Sequence, residues 1–315
     1  MVNKGFLGGL HPVAKLVFTL IVALTFSFVV IFAGTLLIMP FIHVPLDEFL
    51  AGTLDLTAPE NLLYGKFMQI FFHLGLFILS SIFLAWTFGK KVPEYLYMKQ
   101  SPRIEIYVLS VIIIFAAVPF INYILELNMQ LQLPEFLKPV EDWIYTSEEQ
   151  AEKVTYAFLR ADTLQMLFFN IFMIAVIPAL GEEFMFRGVV LRILKDWSRS
   201  AHLAIWVSAI LFSFIHMQFL GFIPRMILGI LFGYMVVWSG SIWPAVLAHF
   251  VNNAAAVIFF YLFQHRFTDG TLENIGKGSG GIYFAVVSIL VTLILMWMFR
   301  KKSKITGPDT PDFSS

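Results

Sequence analysis

Glu182, Glu183 and Arg187 lie within the stretch IPALGEEFMFRGVV, an apolar run with the composition of a membrane helix. A charge at the centre of such a helix costs about 2.5–3.5 kcal/mol on insertion scales, so charges there pair with one another or line a site. Glu183 and Arg187 are one helical turn apart and share a face, whereas Glu182 is turned away from them by about 100°. One glutamate is therefore compensated and the other is left for something else. Adjacent carboxylates in a low dielectric repel, which suits one of them to exchange a proton. The plain alternative is a buried ion pair holding helices together, with the second glutamate protonated and hydrogen-bonded.

Two further apolar stretches carry histidine. In FSFIHM, Phe212 and His216 are one turn apart, so the phenyl ring can pack against the imidazole and fix its orientation. In HFVNN, His249 and Asn253 share a face and Asn252 is rotated off it. Each alone reads as a hydrogen-bonded core histidine or as interhelical glue. Together with the glutamates they supply a base, a proton carrier and oxyanion donors on three separate segments, the inventory for hydrolysing an amide with water. His73, in FFHLGLF, fits no such set and reads as structural, and His11, His43, His202 and His265 lie at segment ends or in loops.

The elements that must position these residues are membrane helices. The chain has 315 residues, 59% hydrophobic and 13% charged, with a mean hydropathy of +0.81, far from the balance of a soluble domain. Windows of about 20 apolar residues fall at 17–39, 67–88, 105–125, 165–191, 203–219, 222–238, 243–263 and 281–299. The expected fold is thus all-α, a polytopic integral membrane protein of about eight transmembrane helices. The loops carrying Lys90, Lys91, Lys99 and Arg103, then Arg192, Lys195 and Arg199, and the tail opening RKKSK, belong on the cytoplasmic side, with both termini. Four regions follow: an N-terminal three-helix region with a long acidic external loop (1–164), a catalytic core (165–263), a last helix with its preceding loop (264–299) and a cytoplasmic tail (300–315). The acidic loop contains SEEQAEKVTYAFL, expected as a short amphipathic helix capped by Ser147. The end of the tail, TGPDTPDFSS, has a disordered composition.

Composition also excludes. No cysteine is present, which removes disulfides, thiolate metal sites, a cysteine nucleophile and prenylation of the chain's own C-terminus. No basic run is interleaved with aromatics, so no nucleic-acid partner is expected. No internal repeat supports a transporter of the inverted-repeat type.

Glu182 to Arg187 (EExxxR), Phe212 to His216 (FxxxH) and His249 to Asn253 (HxxxN) stand in the order found in the CPBP family of intramembrane proteases, the Rce1-like CaaX prenyl endopeptidases and bacteriocin-processing Abi proteins. The chain resembles that family over roughly 165–260, including the FRG continuation at Gly188. The resemblance implies an endopeptidase of a multi-pass membrane, here a bacterial inner membrane, acting on a membrane-associated or lipidated peptide. It implies that Glu182 activates water with help from His216, that His249 and Asn253 stabilise the oxyanion, and that Glu183, Arg187 and Phe212 support them. A zinc site would draw on Glu182, His216 and His249; no HExxH is present, and glutamate-activated water without a metal is the favoured reading. A non-catalytic bacteriocin-immunity or scaffold protein is the alternative. One conflict remains within this reading. Straight spans put Glu182 and His249 toward the cytoplasmic half and His216 toward the outer half, so a broken or displaced helix is expected, with Pro178 as a place for it.

Overall fold

In an apolar medium every backbone N–H and C=O needs an internal partner, and a helix provides it within one segment. A computed structural model of the protein describes residues 5–42, 46–51, 53–130, 133–266, 275–278 and 280–303. The regular elements among them are all helices. In chain order these are α1 (Pro12–Ile38), α2 (Leu46–Ala51), α3 (Leu62–Phe88), α4 (Val92–Tyr95), α5 (Ile104–Met129), α6 (Lys138–Leu159), α7 (Leu164–Ser198), α8 (Ala201–Phe214), α9 (Phe222–Ser239), α10 (Trp243–Gln264) and α11 (Gly281–Ser303). His43 and the tail segment expected to be disordered lie outside the described residues.

Seven of these, α1, α3, α5, α7, α9, α10 and α11, are long and apolar enough to cross a membrane. The chain is a multi-pass integral membrane protein. The remaining apolar segment departs from expectation. α8 has 14 residues, a rise of about 21 Å against a hydrocarbon core of about 30 Å. It stops at Phe214, where the chain turns through Met217 in the left-handed region (φ 53°). The turn is stitched by Ser213 Oγ donating to Phe222 O (2.6 Å) and by Arg225, which donates to Gln218 O (3.0 Å) and to its Oε1 (2.7 Å). His216 therefore sits just past a helix end and not deep within a full span. A broken or displaced helix was expected, and α8 ends short of His216.

α7 and α3 are irregular near the polar residues. α3 contains a π-helical segment at Leu74–Leu79, and α7 contains two, Ile171–Val176 and Phe184–Val190. Each widens the helix locally and rotates the side chains that follow. Pro178 adds a second disturbance, since it has no N–H for the carbonyl four residues back, that of Ile174. Asn253 Nδ2 donates to that carbonyl from α10 at 3.1 Å.

The acidic external connection also differs from expectation. α6 begins at Lys138, with proline in its first turn, and Ser147 lies inside it and not at its cap. Pro139 starts a helix well because its missing N–H would be unpaired there anyway. The hydrogen bond from Lys138, joined by the Leu133 N–H, holds the Glu141 carboxyl below the usual carboxylate range.

Close approach of α3 to α7 depends on Gly181. A Cβ there would lie 2.8 Å from Phe77 Cβ and 3.0 Å from Ile78 Cγ1. Overpacking of this kind typically costs about 1–3 kcal/mol, more than the about 1 kcal/mol that alanine adds to a helix over glycine. Gly181→Ala is expected to lower the unfolding midpoint in detergent, while Gly9→Ala, where a Cβ meets nothing within 4 Å, leaves it unchanged.

Candidate active site

The polar cluster is built around α7. Arg187, 1% exposed, donates from Nη1 to Glu183 Oε1 at 2.8 Å and from Nη2 to Gly229 O on α9 at 3.1 Å. Its guanidinium also lies over the rings of Phe212 (4.6 Å to the centroid) and Phe232 (5.3 Å). A buried guanidinium needs this many partners, because each unmet donor in a dry interior is costly.

Glu183 is fully buried and its Oε1 receives a second hydrogen bond, from His249 Nδ1 on α10 at 2.8 Å. A carboxylate accepts and does not donate, so Nδ1 of His249 carries hydrogen and Nε2 is the atom turned to the rest of the site. That Nε2 lies 3.7 Å from Glu182 Oε2. The imidazole stacks on Phe232 at 5.2 Å and 16°, so one phenyl ring backs both His249 and Arg187.

His216 is fixed in a similar way. Its Nδ1 is 2.8 Å from Phe212 O, an acceptor only, which again leaves Nε2 free. Phe212 touches more of the cluster than one turn of helix suggests. Its ring meets His216 edge-on at 5.0 Å, His249 at 6.1 Å and Phe186 at 5.3 Å, in addition to Arg187.

Glu182 takes the remaining position. It is 5% exposed and, among the described residues, has no lysine or arginine within ion-pair distance; its near neighbours are histidines. His249 is at Oε2, and at Oε1, 3.5 Å away, is Nε2 of His73 from α3. His73, read from the sequence as structural and outside the set, is thus placed against Glu182. No motif spacing pointed to it, and the only signal in the sequence was an imidazole in the middle of an apolar stretch.

A cavity of about 680 Å³ opens beside this group. His73, Glu182, His216 and Thr19 are its polar lining, and the rest is apolar, including Leu16, Leu20 and Leu24 of α1 together with Leu211 and Ile215. Leu20, Leu24, Leu211 and Ile215 are also exposed on the outside of the bundle, so the cavity lies against the lipid-facing surface between α1 and α8. Glu182 and His216 thus share one cavity. His249 and Asn253 do not line it; Asn253 gives one amide hydrogen to Ile174 O, and its Oδ1 accepts from Asn252 Nδ2 (3.1 Å).

Among the described residues no group of three or more His, Asp or Glu side chains is disposed to hold a metal ion. For the set Glu182, His216 and His249 to become ligands, their donor atoms would have to converge to about 2.0–2.2 Å from one ion.

A multi-pass chain, all-helical in its described regular elements, with a buried glutamate and two histidines lining one cavity defines a class of intramembrane sites, and comparison with known proteins narrows it. Residues 164–255 match the model of the type II CAAX prenyl endopeptidase Rce1-like family. The match starts at α7, ends within α10 and includes every residue of the three motifs; the resemblance read from those motifs is borne out over this segment. The uncharacterized protein YpbD of Bacillus subtilis (strain 168) is 27% identical over 89 residues, 27% of this chain and 42% of that protein. The chain thus matches about two-fifths of the length of that curated relative. No solved structure matches the chain.

Removing one partner of a buried ion pair typically costs about 3–5 kcal/mol because the other charge is left uncompensated. Arg187→Met is expected to destabilise by that order in chemical unfolding of the detergent-solubilised protein. The double variant Arg187→Met with Glu183→Gln should recover part of the loss.

Proposed function

We propose that the chain is an intramembrane endopeptidase that hydrolyses a peptide bond in a membrane-associated or lipidated peptide, using water activated by Glu182. The observation that carries this reading is the asymmetry of the two glutamates. Glu183 is engaged by Arg187 and His249, whereas Glu182 faces histidines at the wall of the cavity.

In this mechanism a water between Glu182 and His216 Nε2 gives a proton to the Glu182 carboxylate as its oxygen attacks the scissile carbonyl. The carbonyl π electrons move onto oxygen. His249 with both ring nitrogens protonated, held by Glu183 at Nδ1, donates from Nε2 to that oxyanion, and the second amide hydrogen of Asn253 is the other proposed donor. Collapse of the tetrahedral species breaks the C–N bond, and the proton on Glu182 passes to the leaving nitrogen. The products are a carboxylic acid and an amine, and transfer of the acid's proton to the amine gives carboxylate and ammonium. Glu183, Arg187 and Phe212 keep His249 and His216 in place. Substrate reaches the site from the bilayer past α1 and α8, and the basic loops set the site toward the cytoplasm of a bacterial inner membrane. No nucleic acid takes part.

A non-catalytic immunity or scaffold protein is the second reading. It draws on the Asn253 bond to Ile174 O, which serves the fold irrespective of chemistry.

The test is cleavage of a pool of membrane-anchored peptides by purified protein with a metal chelator present, followed by mass spectrometry. Wild type is expected to cleave and Glu182→Gln to leave the same peptides intact. Asn253→Ala is expected to be slower by about 100- to 1000-fold, the usual loss for one oxyanion donor. Cleavage that appears only when zinc is restored would replace this mechanism with the metal variant. Equal cleavage by wild type and Glu182→Gln would end the glutamate reading, and none by folded wild type, with or without zinc, would favour the binding protein.

A further inference from the structure

His73 belongs to none of the motifs in the matched segment, yet it contacts the carboxylate to which the mechanism assigns the chemistry. Four observations bear on what it does there. Its Nδ1 lies 3.0 Å from Gln69 O one turn earlier, and a carbonyl oxygen only accepts, so that nitrogen carries hydrogen and the ring is anchored to its own helix. Its plane is set by Phe72, edge-on at 5.5 Å, and by Phe77 at 5.5 Å. Its Nε2 is consequently aimed at Glu182 Oε1, 3.5 Å away, and its side chain is 14% exposed at the cavity wall.

The fourth observation concerns the backbone. The π-helical segment of α3 begins at Leu74, immediately after His73. Gly75 in that segment meets the α1 backbone, where an added Cβ would fall 2.6 Å from Phe26 O, and Phe77 and Ile78 abut Gly181, the residue before Glu182. The irregular turn thus seats the His73 end of α3 against both α1 and the glutamate. A helix distorted at the point where it presents a polar side chain to a catalytic group fits the usual placement of such segments at functional sites.

We propose that His73 is a positioning residue for Glu182. With both ring nitrogens protonated, Nδ1–H on Gln69 O, it holds Oε1 of the carboxylate through an Nε2–H hydrogen bond that tightens with substrate bound, and so fixes where Glu182 presents the attacking water. The groups facing the pair are His249, across Glu182 at Oε2, and His216 on the cavity side; Glu183 and Arg187 lie behind. The inference rests on Glu182 being the water-activating base.

Two measurements on the full-length protein test it. In steady-state cleavage of a peptide from the pool, His73→Ala should lower kcat by about 10- to 100-fold, the scale of loss when a reacting group is misplaced by about 1 Å. KM should stay within about twofold, because the residue acts on the carboxylate and not on the bound peptide. His73→Gln places an amide N–H near the position of Nε2 and should recover most of the lost kcat. A loss in kcat equal in both variants, or one confined to KM, overturns the proposal. So does unchanged activity in His73→Ala.

The second measurement needs no turnover. In 15N-histidine-labelled wild type, the Nε2 signal missing from His73→Gln should show a hydrogen-bonded proton when an uncleavable substrate peptide is bound, and Glu182→Gln should change it. If it does not respond to Glu182→Gln, this inference fails while the Glu182 mechanism stands. If it responds but Glu182→Gln cleaves as well as wild type, the mechanism fails and the contact is structural only, which also overturns the proposal. Should the His73 variants not fold, the Glu182-dependent signal in wild type decides alone.

Discussion

A guanidinium and a carboxylate in an apolar helix bundle are tolerated only when each closes most of the other's requirements, and Arg187 with Glu183 do so one turn apart on α7. The remaining donors and faces of Arg187 recruit the rest: Gly229 O from α9, Phe212 from α8 and Phe232 from α9. Through the second hydrogen bond on Glu183 the same ion pair fixes His249 of α10. Four helices are thereby tied to one buried charge. Buried pairs are weak sources of net stability and strong penalties when broken, so this arrangement specifies where the helices meet more than how tightly.

Compensation of Glu183 is also what leaves Glu182 distinct. The two glutamates are adjacent, but a helix turns about 100° between them, and only one can face Arg187. The other meets imidazoles at a cavity wall. A lipid-facing site must combine a dry, apolar surround with a few oriented polar atoms, and the π-helical segments and Pro178 supply the orientation. They rotate side chains and disturb the backbone ladder, and the carbonyl that Pro178 leaves without its usual donor, Ile174 O, finds a partner on a neighbouring helix in Asn253.

Much of this was legible in the sequence. Hydropathy windows located the membrane helices because the bilayer fixes their length, and the helical period predicted which of Glu182 and Glu183 could reach Arg187. The early stop of α8 was visible only as a contradiction, since straight spans put His216 at the wrong height for Glu182. Its cause, the turn stitched by Arg225 and Ser213, depends on contacts between segments that spacing does not encode. The contact of His73 with Glu182 was not foreseen for the same reason: it comes from the packing of α3 on Gly181 and from a π-helical segment that has no periodic signature. The start of α6 at Lys138 was missed because Ser147 offered a good cap, while Pro139, the better signal, stood eight residues upstream of the periodic stretch.

The division of labour between the two glutamates is tested most directly by the unfolding stability of Glu182→Gln and Glu183→Gln side by side. Glu183→Gln should lose stability, because Arg187 and His249 then face a neutral amide in a dry interior. Glu182→Gln should match or exceed wild type, as expected for a carboxylate retained for chemistry. Equal losses in the two variants, or a larger loss in Glu182→Gln, would contradict the account, since Glu182 would then be the charge on which the bundle depends.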